Sequence, residues 1–206
     1  FWHDHFATSD AKVNDARLMM DQVRIFLRDG PGQFPSLLWA IAKDPAMIIW
    51  LDGNSNRRGK PNENFSRELM ELFSLGIGNY TEKDIKEAAR AFTGWHVKNR
   101  EFWFNRRAHD TGTKTIFGKT GDFIGEDVVG MCFEKRESCE FIAGKLFDYY
   151  VGTPVSRELR KALGELYATS FRNTGVFLAK LLSSREFYSA PARRAIVSSP
   201  ADFAIG

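Results

Sequence analysis

The stretch from Asp52 to Gly78 constrains the chain most: a polar loop runs directly into a strongly two-faced helix. Proline is tolerated in a first turn and asparagine caps well, which places the helix start near Pro61 or Asn62. Gly76, able to take the left-handed conformation, closes it. At about 100° per residue, Phe65, Leu69, Met70, Leu72 and Phe73 share one side, and Glu63, Asn64, Arg67, Glu68 and Glu71 share the other. One face must be buried in a core. The other gathers three carboxylates, an amide and a guanidinium.

That polar face suits a solvated helix surface, with Glu63 and Arg67 as an i,i+4 ion pair. It also suits a site, because of the loop before it. Asp52, Asn54 and Asn56 alternate, and Glu63 follows at the twelfth position, the ligand spacing of a calcium loop. Against that pattern, Arg57 stands where a glycine normally makes the sharp turn, and Arg58 and Lys60 bring positive charge into the loop.

The 206 residues suffice for a real core in one domain or two small ones. With 43% hydrophobic and 27% charged residues the chain is globular in composition. A net charge of +3 is too mild, and the arginine pairs too scattered, for a nucleic-acid partner. No apolar run approaches the ~20 residues that span a bilayer. The chain opens at FWHDHF without a methionine and ends at ADFAIG where a helix is starting, so it is expected to be an internal piece of a longer protein. Cys132 and Cys139 either pair or serve as small buried hydrophobes.

Apolar periodicity and caps predict helices over about 14–28, 36–42 and 45–51, the last with Asp44 as cap and Pro45 in its first turn. Thr81 and Asp84 form a capping box ahead of a helix that Gly94 ends. Further helices are expected over about 126–133, 136–150, 157–170 and 174–183. EFWFN and TKTIF read as two strands of one hairpin near 101–117, around a turn carrying Arg106, His109, Asp110 and Gly112. Gly118-Lys119-Thr120 resembles the end of a phosphate-binding loop, but Thr113 stands where the motif needs glycine, so nucleotide binding is rejected. The expected fold is mainly α, a bundle-like multi-helix domain with one inserted β-hairpin. Residues 1–151 carry the motifs, and 152–206 form a helical section packed on them as one domain. His3 and His5, one residue apart, point the same way on a strand and about 200° apart on a helix, so only the strand suits a metal.

The motifs WHDHFATS, GQFPSLLWAIAKDPAM, PNENFSRELMELFSLGIGNYTEKDIKEAARAFTGW and HDTGTKTIFGKTGDFIGEDVV together cover nearly the whole chain. In them the chain resembles the bacterial family catalogued as "domain of unknown function 1800". The resemblance implies longer members, an exported protein and thus a periplasmic or extracellular setting, and a sulfatase-like protein encoded nearby as a candidate partner. It supplies no reaction. Position by position it points to His3 and His5, to Asn62, Glu63, Asn64, Arg67, Glu68 and Glu71, to Trp95, and to His109 with Asp110. All four histidines lie in or beside these motifs.

Two functions follow as expectations. In the first, His3, His5 and His109 converge with Glu63, Glu68, Glu71 or Asp110 in one cleft. They hold a divalent metal (zinc, manganese or iron) for hydrolysis, or act metal-free through a carboxylate pair, on an anionic polymer such as a polysaccharide gripped by Arg67. In the second, the polar cluster is a non-catalytic network fixing the helices, with calcium at Asp52, Asn54, Asn56 and Glu63, in a module that binds a partner protein or cell-surface polymer. Convergence of the histidines on the central helix separates the two.

Overall fold

In a computed structural model the caps act where the sequence places them. The structure describes residues 1–193 and 195–196, so the helix start expected at ADFAIG lies outside the described residues. Two short helices, α1 (Trp2–Phe6) and α2 (Asp10–Val13), open the chain. Asp15 caps α3 (Ala16–Asp29). After α4 (Phe34–Ala42), the Asp44 carboxylate accepts from the Met47 amide at 2.9 Å to start α5 (Pro45–Trp50). The Thr81–Asp84 capping box opens α7 (Glu82–Ala91). Beyond the strands come α8 (Gly125–Glu134), α9 (Arg136–Tyr150), α10 (Arg157–Thr169) and α11 (Thr174–Leu182). The fold is mainly α.

The central helix departs from a regular one. Its α-helical part, α6, spans only Asn64–Glu68, and Asn62 precedes it in a turn whose side-chain oxygen accepts from the Asn64 amide at 2.9 Å. From Leu69 to Ser74 the backbone widens into a π-helical turn, ending with a Leu75 amide bonded five residues back to the Met70 carbonyl at 3.0 Å. The buried Ser74 hydroxyl donates to the Leu69 carbonyl, five residues back. Phe65, Leu69, Met70 and Phe73 are buried as the periodicity predicts, but Leu72 is 42% exposed, because the wider turn rotates it out of the core face. Gly76, at φ +80°, then ends the segment.

The expected single hairpin is instead two. β2 (Glu101–Phe104) pairs backwards with β1 (Trp95–Lys98), and β3 (Lys114–Ile116) pairs forwards with β4 (Lys119–Gly121). The reason is local. Asn99-Arg100 and Phe117-Gly118 all take positive φ, as a two-residue turn of the I′ kind requires, and each closes its own antiparallel pair.

One core joins the elements: Phe6, Phe34, Leu69, Phe73, Ile85 and Phe92 meet side chains as far along as Tyr167, Phe177 and Leu181. Backbone bonds also tie early to late chain. The Phe34 amide donates to the Arg172 carbonyl at 2.9 Å, and the Thr174 and Gly175 amides donate to Gly32 and Pro31, each at 2.9 Å. Cys132 and Cys139 are both buried and free, and burial pushes the Cys132 thiol up to about 12.

Candidate functional site

The polar residues singled out in the sequence separate into a loop knot, two arginine nodes and a cleft. In the knot, Asp52 takes the left-handed conformation and pairs with Lys12 at 2.8 Å and with the Asn64 amide group at 3.1 Å. The Asn54 side-chain oxygen accepts from the Val97 amide at 2.7 Å. Buried Asn56 donates to the Ala89 carbonyl at 3.0 Å and accepts from the Asn62 amide at 2.9 Å. Glu63 turns to Arg67 instead. Each oxygen of the expected calcium loop thus faces a different donor, and these residues do not fit a shared cation.

Arg67 forms the first node. It grips Glu82 through two nitrogens at 2.8 and 2.9 Å and reaches Glu63 at 3.1 Å. Hydrogen bonding to Glu82 raises its pKa and lowers that of the carboxyl. Arg67 is therefore committed inside the fold.

Arg90 forms the second node. Its guanidinium meets Asp110 at 2.9 and 3.3 Å, Glu87 at 2.9 and 3.1 Å, and the Thr113 carbonyl at 3.1 Å. The Arg90 hydrogen bond holds Asp110 below the usual carboxylate range. Lys114, almost wholly buried, donates to the Asp110 and Gly112 carbonyls at 2.7 and 2.8 Å. Next to it, buried His109 donates through Nδ1 to the Thr93 carbonyl at 2.8 Å. The histidine–aspartate motif is thus a stapled loop on α7.

The two N-terminal histidines lie on α1, the arrangement that separates them. His3 is exposed and edges towards Phe26. His5 is buried, and its Nε2 donates to the Phe73 carbonyl at 3.1 Å, capping an orphan carbonyl at the end of the central helix. Its Nδ1 must then be the unprotonated nitrogen, and it is buried without a partner. Burial first, and the Lys145 charge second, hold this imidazole down at about 3. His96 meets the Asn56 carbonyl at 3.2 Å. The histidines therefore do not converge, and among the described residues no three His, Cys, Asp or Glu side chains gather as metal ligands.

The π-helical turn places Glu71 and Leu72 in the wall of a cleft of about 520 Å3, closed on the other side by α9. Tyr80 donates to Glu71 at 2.7 Å, and burial, with this bond, lifts the phenol to about 12. From α9 come Glu137, Glu140, Phe141, Lys145 and Asp148, and from α10 comes Arg160, which lies over Gly144. Lys145 and Asp148 also line a smaller lobe of about 290 Å3 with Phe1, Asp4, His5 and Tyr149. Burial lowers Lys145 and raises Asp148. Glu68 is raised too, by burial and then by Glu71.

A family model described as a protein of unknown function (DUF1800) matches residues 1–206. The chain belongs to this family. No curated protein and no solved structure matches it. Of the family-derived polar residues, the cleft takes Glu71 and His5, while the others lie in the knot, at the nodes or on the surface. Lys145, Asp148 and Arg160 escaped the sequence reading. The available signal was a polar stripe at helical spacing, Glu137, Glu140, Phe141, Gly144, Lys145 and Asp148, in a helix that looked unremarkable.

Proposed function

We propose that this chain is a non-catalytic binding and assembly module, its polar motifs fixing the registry of the helices and its cleft holding a ligand or partner. The two arginine nodes support this reading best: Arg67 and Arg90 between them engage Glu63, Glu82, Glu87 and Asp110, so the motif carboxylates Glu63 and Asp110 serve the fold. An extracytoplasmic setting, as the family resemblance implies, is part of the same proposal. Thermal unfolding of Arg90→Met and Arg67→Met tests it. Both variants should melt lower, Arg90→Met by about 6 °C, a loss of about 2 kcal/mol for a half-buried, multiply bonded guanidinium. Unchanged melting in both would remove the structural role.

A second reading is favoured by one observation, the opposite shifts of Asp148 and Lys145 in a shared wall. A carboxyl shifted upward in the same wall as an amine shifted downward is the kind of pair that metal-free acid–base hydrolysis uses. The four carboxylates of the larger lobe outnumber its two cations, so an anionic polymer is poorly matched there. Mass-spectrometric detection of hydrolysis by the wild type, abolished in Asp148→Asn with the fold intact, would favour this reading over the first.

A further inference from the structure

The cleft holds several charged groups without an ion pair, of which Lys145 lies over the Phe141 ring at 5.4 Å. Glu140 is paired with Arg136 at 2.9 Å and Glu71 with Tyr80, whereas Glu137, Lys145, Asp148 and Arg160 make no ion pair or side-chain hydrogen bond among the described residues. The adjoining lobe is bordered by His5, whose unpartnered Nδ1 is closed off inside the fold. Lys145 and Asp148 border both lobes, so the two adjoin across these side chains.

Acceptors, donors and apolar surface alternate along the cleft. Carboxylates accept, Lys145 and Arg160 donate, and Asn79, whose amide donates to the Leu75 carbonyl at 2.8 Å, has no donor on its side-chain oxygen among the described residues. Phe141 and half-exposed Tyr149 supply aromatic faces, and Ile77, 79% exposed, supplies an aliphatic rim. A polyanion would meet the carboxylates, and a polycation would meet Lys145 and Arg160. A ligand whose every polar group both donates and accepts satisfies all of them at once, and hydroxyls do so. Flat rings with C–H faces suit the aromatic walls.

We propose that the two lobes form one binding site for a neutral oligosaccharide, its hydroxyls addressing Glu71, Lys145, Asp148 and Arg160 while ring faces lie on Phe141 and Tyr149. The inference rests on the binding-module reading and gives its cleft a ligand class. Ring hydroxyls reach the smaller lobe from the larger one past Lys145 and Asp148, which then act as the shared waist of the site.

The test is an oligosaccharide array carrying neutral, amine-bearing and acidic glycans, followed by calorimetry with the best neutral hit. Saturable binding to neutral glycans is expected, weakened at least ~10-fold in Asp148→Asn and in Phe141→Ala, and unchanged in a control at exposed Arg24. Hits confined to acidic or amine-bearing glycans, to basic peptides, or to nothing would overturn the proposal. So would neutral binding indifferent to both cleft variants. Melting temperatures of all variants separate this failure from that of the module reading, which concerns Arg67 and Arg90.

Discussion

Burial holds the His5 imidazole down at about 3, and the same cause lifts the Asp44 carboxyl to about 6. His5, depressed from 6.5, contributes stability fully above its unfolded value and loses it as pH falls towards about 3. Asp44, raised from 3.8, contributes fully below its unfolded value and loses that as pH rises through about 6. At about 1.4 kcal/mol per unit these amount to about 5 and about 3 kcal/mol, and between about pH 4 and 6 the two slopes cancel. Asp44→Asn, which keeps a good cap, should expose the His5 slope. Relative to wild type it loses about 1.4 kcal/mol per pH unit on acidification from 6 to 4. Denaturant titrations at several pH values measure this, and parallel profiles would sink the assignment. Gln22, whose Nε2 donates to Asp44 at 2.6 Å, and the Met47 amide pull the carboxyl the other way, and burial outweighs both. None of this is visible in sequence, where Asp44 shows only as a cap.

Among elements, the longer helices were legible where caps and breakers act locally, while the short α1 and α2 were not read as helices. Thr81 with Asp84, Asp44 with Pro45, and Gly76 act locally, and local rules predict them. The hairpins were not legible, because Asn99-Arg100 closes a tight turn without the glycine that usually advertises one. The π-helical turn has no sequence sign either, since one widened turn leaves composition and spacing unchanged. It nonetheless decides that Leu72 and Glu71 face the cleft. The two positive-φ glycines at the borders of these elements should respond differently to alanine. Gly118, open around its missing Cβ, should lose only the backbone term of about 1 kcal/mol. Gly76, where a Cβ would come within 2.7 Å of the Phe141 ring, should lose clearly more and disturb the cleft. Equal losses by urea denaturation would mean that Phe141 gives way freely.

Over the whole molecule, partners distant in sequence decide which motif residues are structural. Arg67 finds Glu82 fifteen positions on, and Arg90 finds Asp110 twenty positions on. Helical periodicity placed Arg67 on the polar face but could not say what faces it, so the candidate site dispersed when folded. The bonds between residues 31–34 and 172–175 make a corresponding prediction for stability. All five tryptophans precede residue 104, so their fluorescence reports the front section, while amide exchange in α11 reports the back. Both should be lost at the same denaturant concentration, and a separated α11 transition would show two cooperative units instead of one.

Those same backbone bonds bear on how the chain is made. The Gly32, Pro31 and Phe34 backbone groups have their partners in chain that is synthesised well after them, so α4 emerges from the ribosome with its edge unfinished. Vectorial synthesis cannot complete the front of this molecule before the back arrives. The growing chain must wait, with an apolar surface open to chaperones, for α11 to close it.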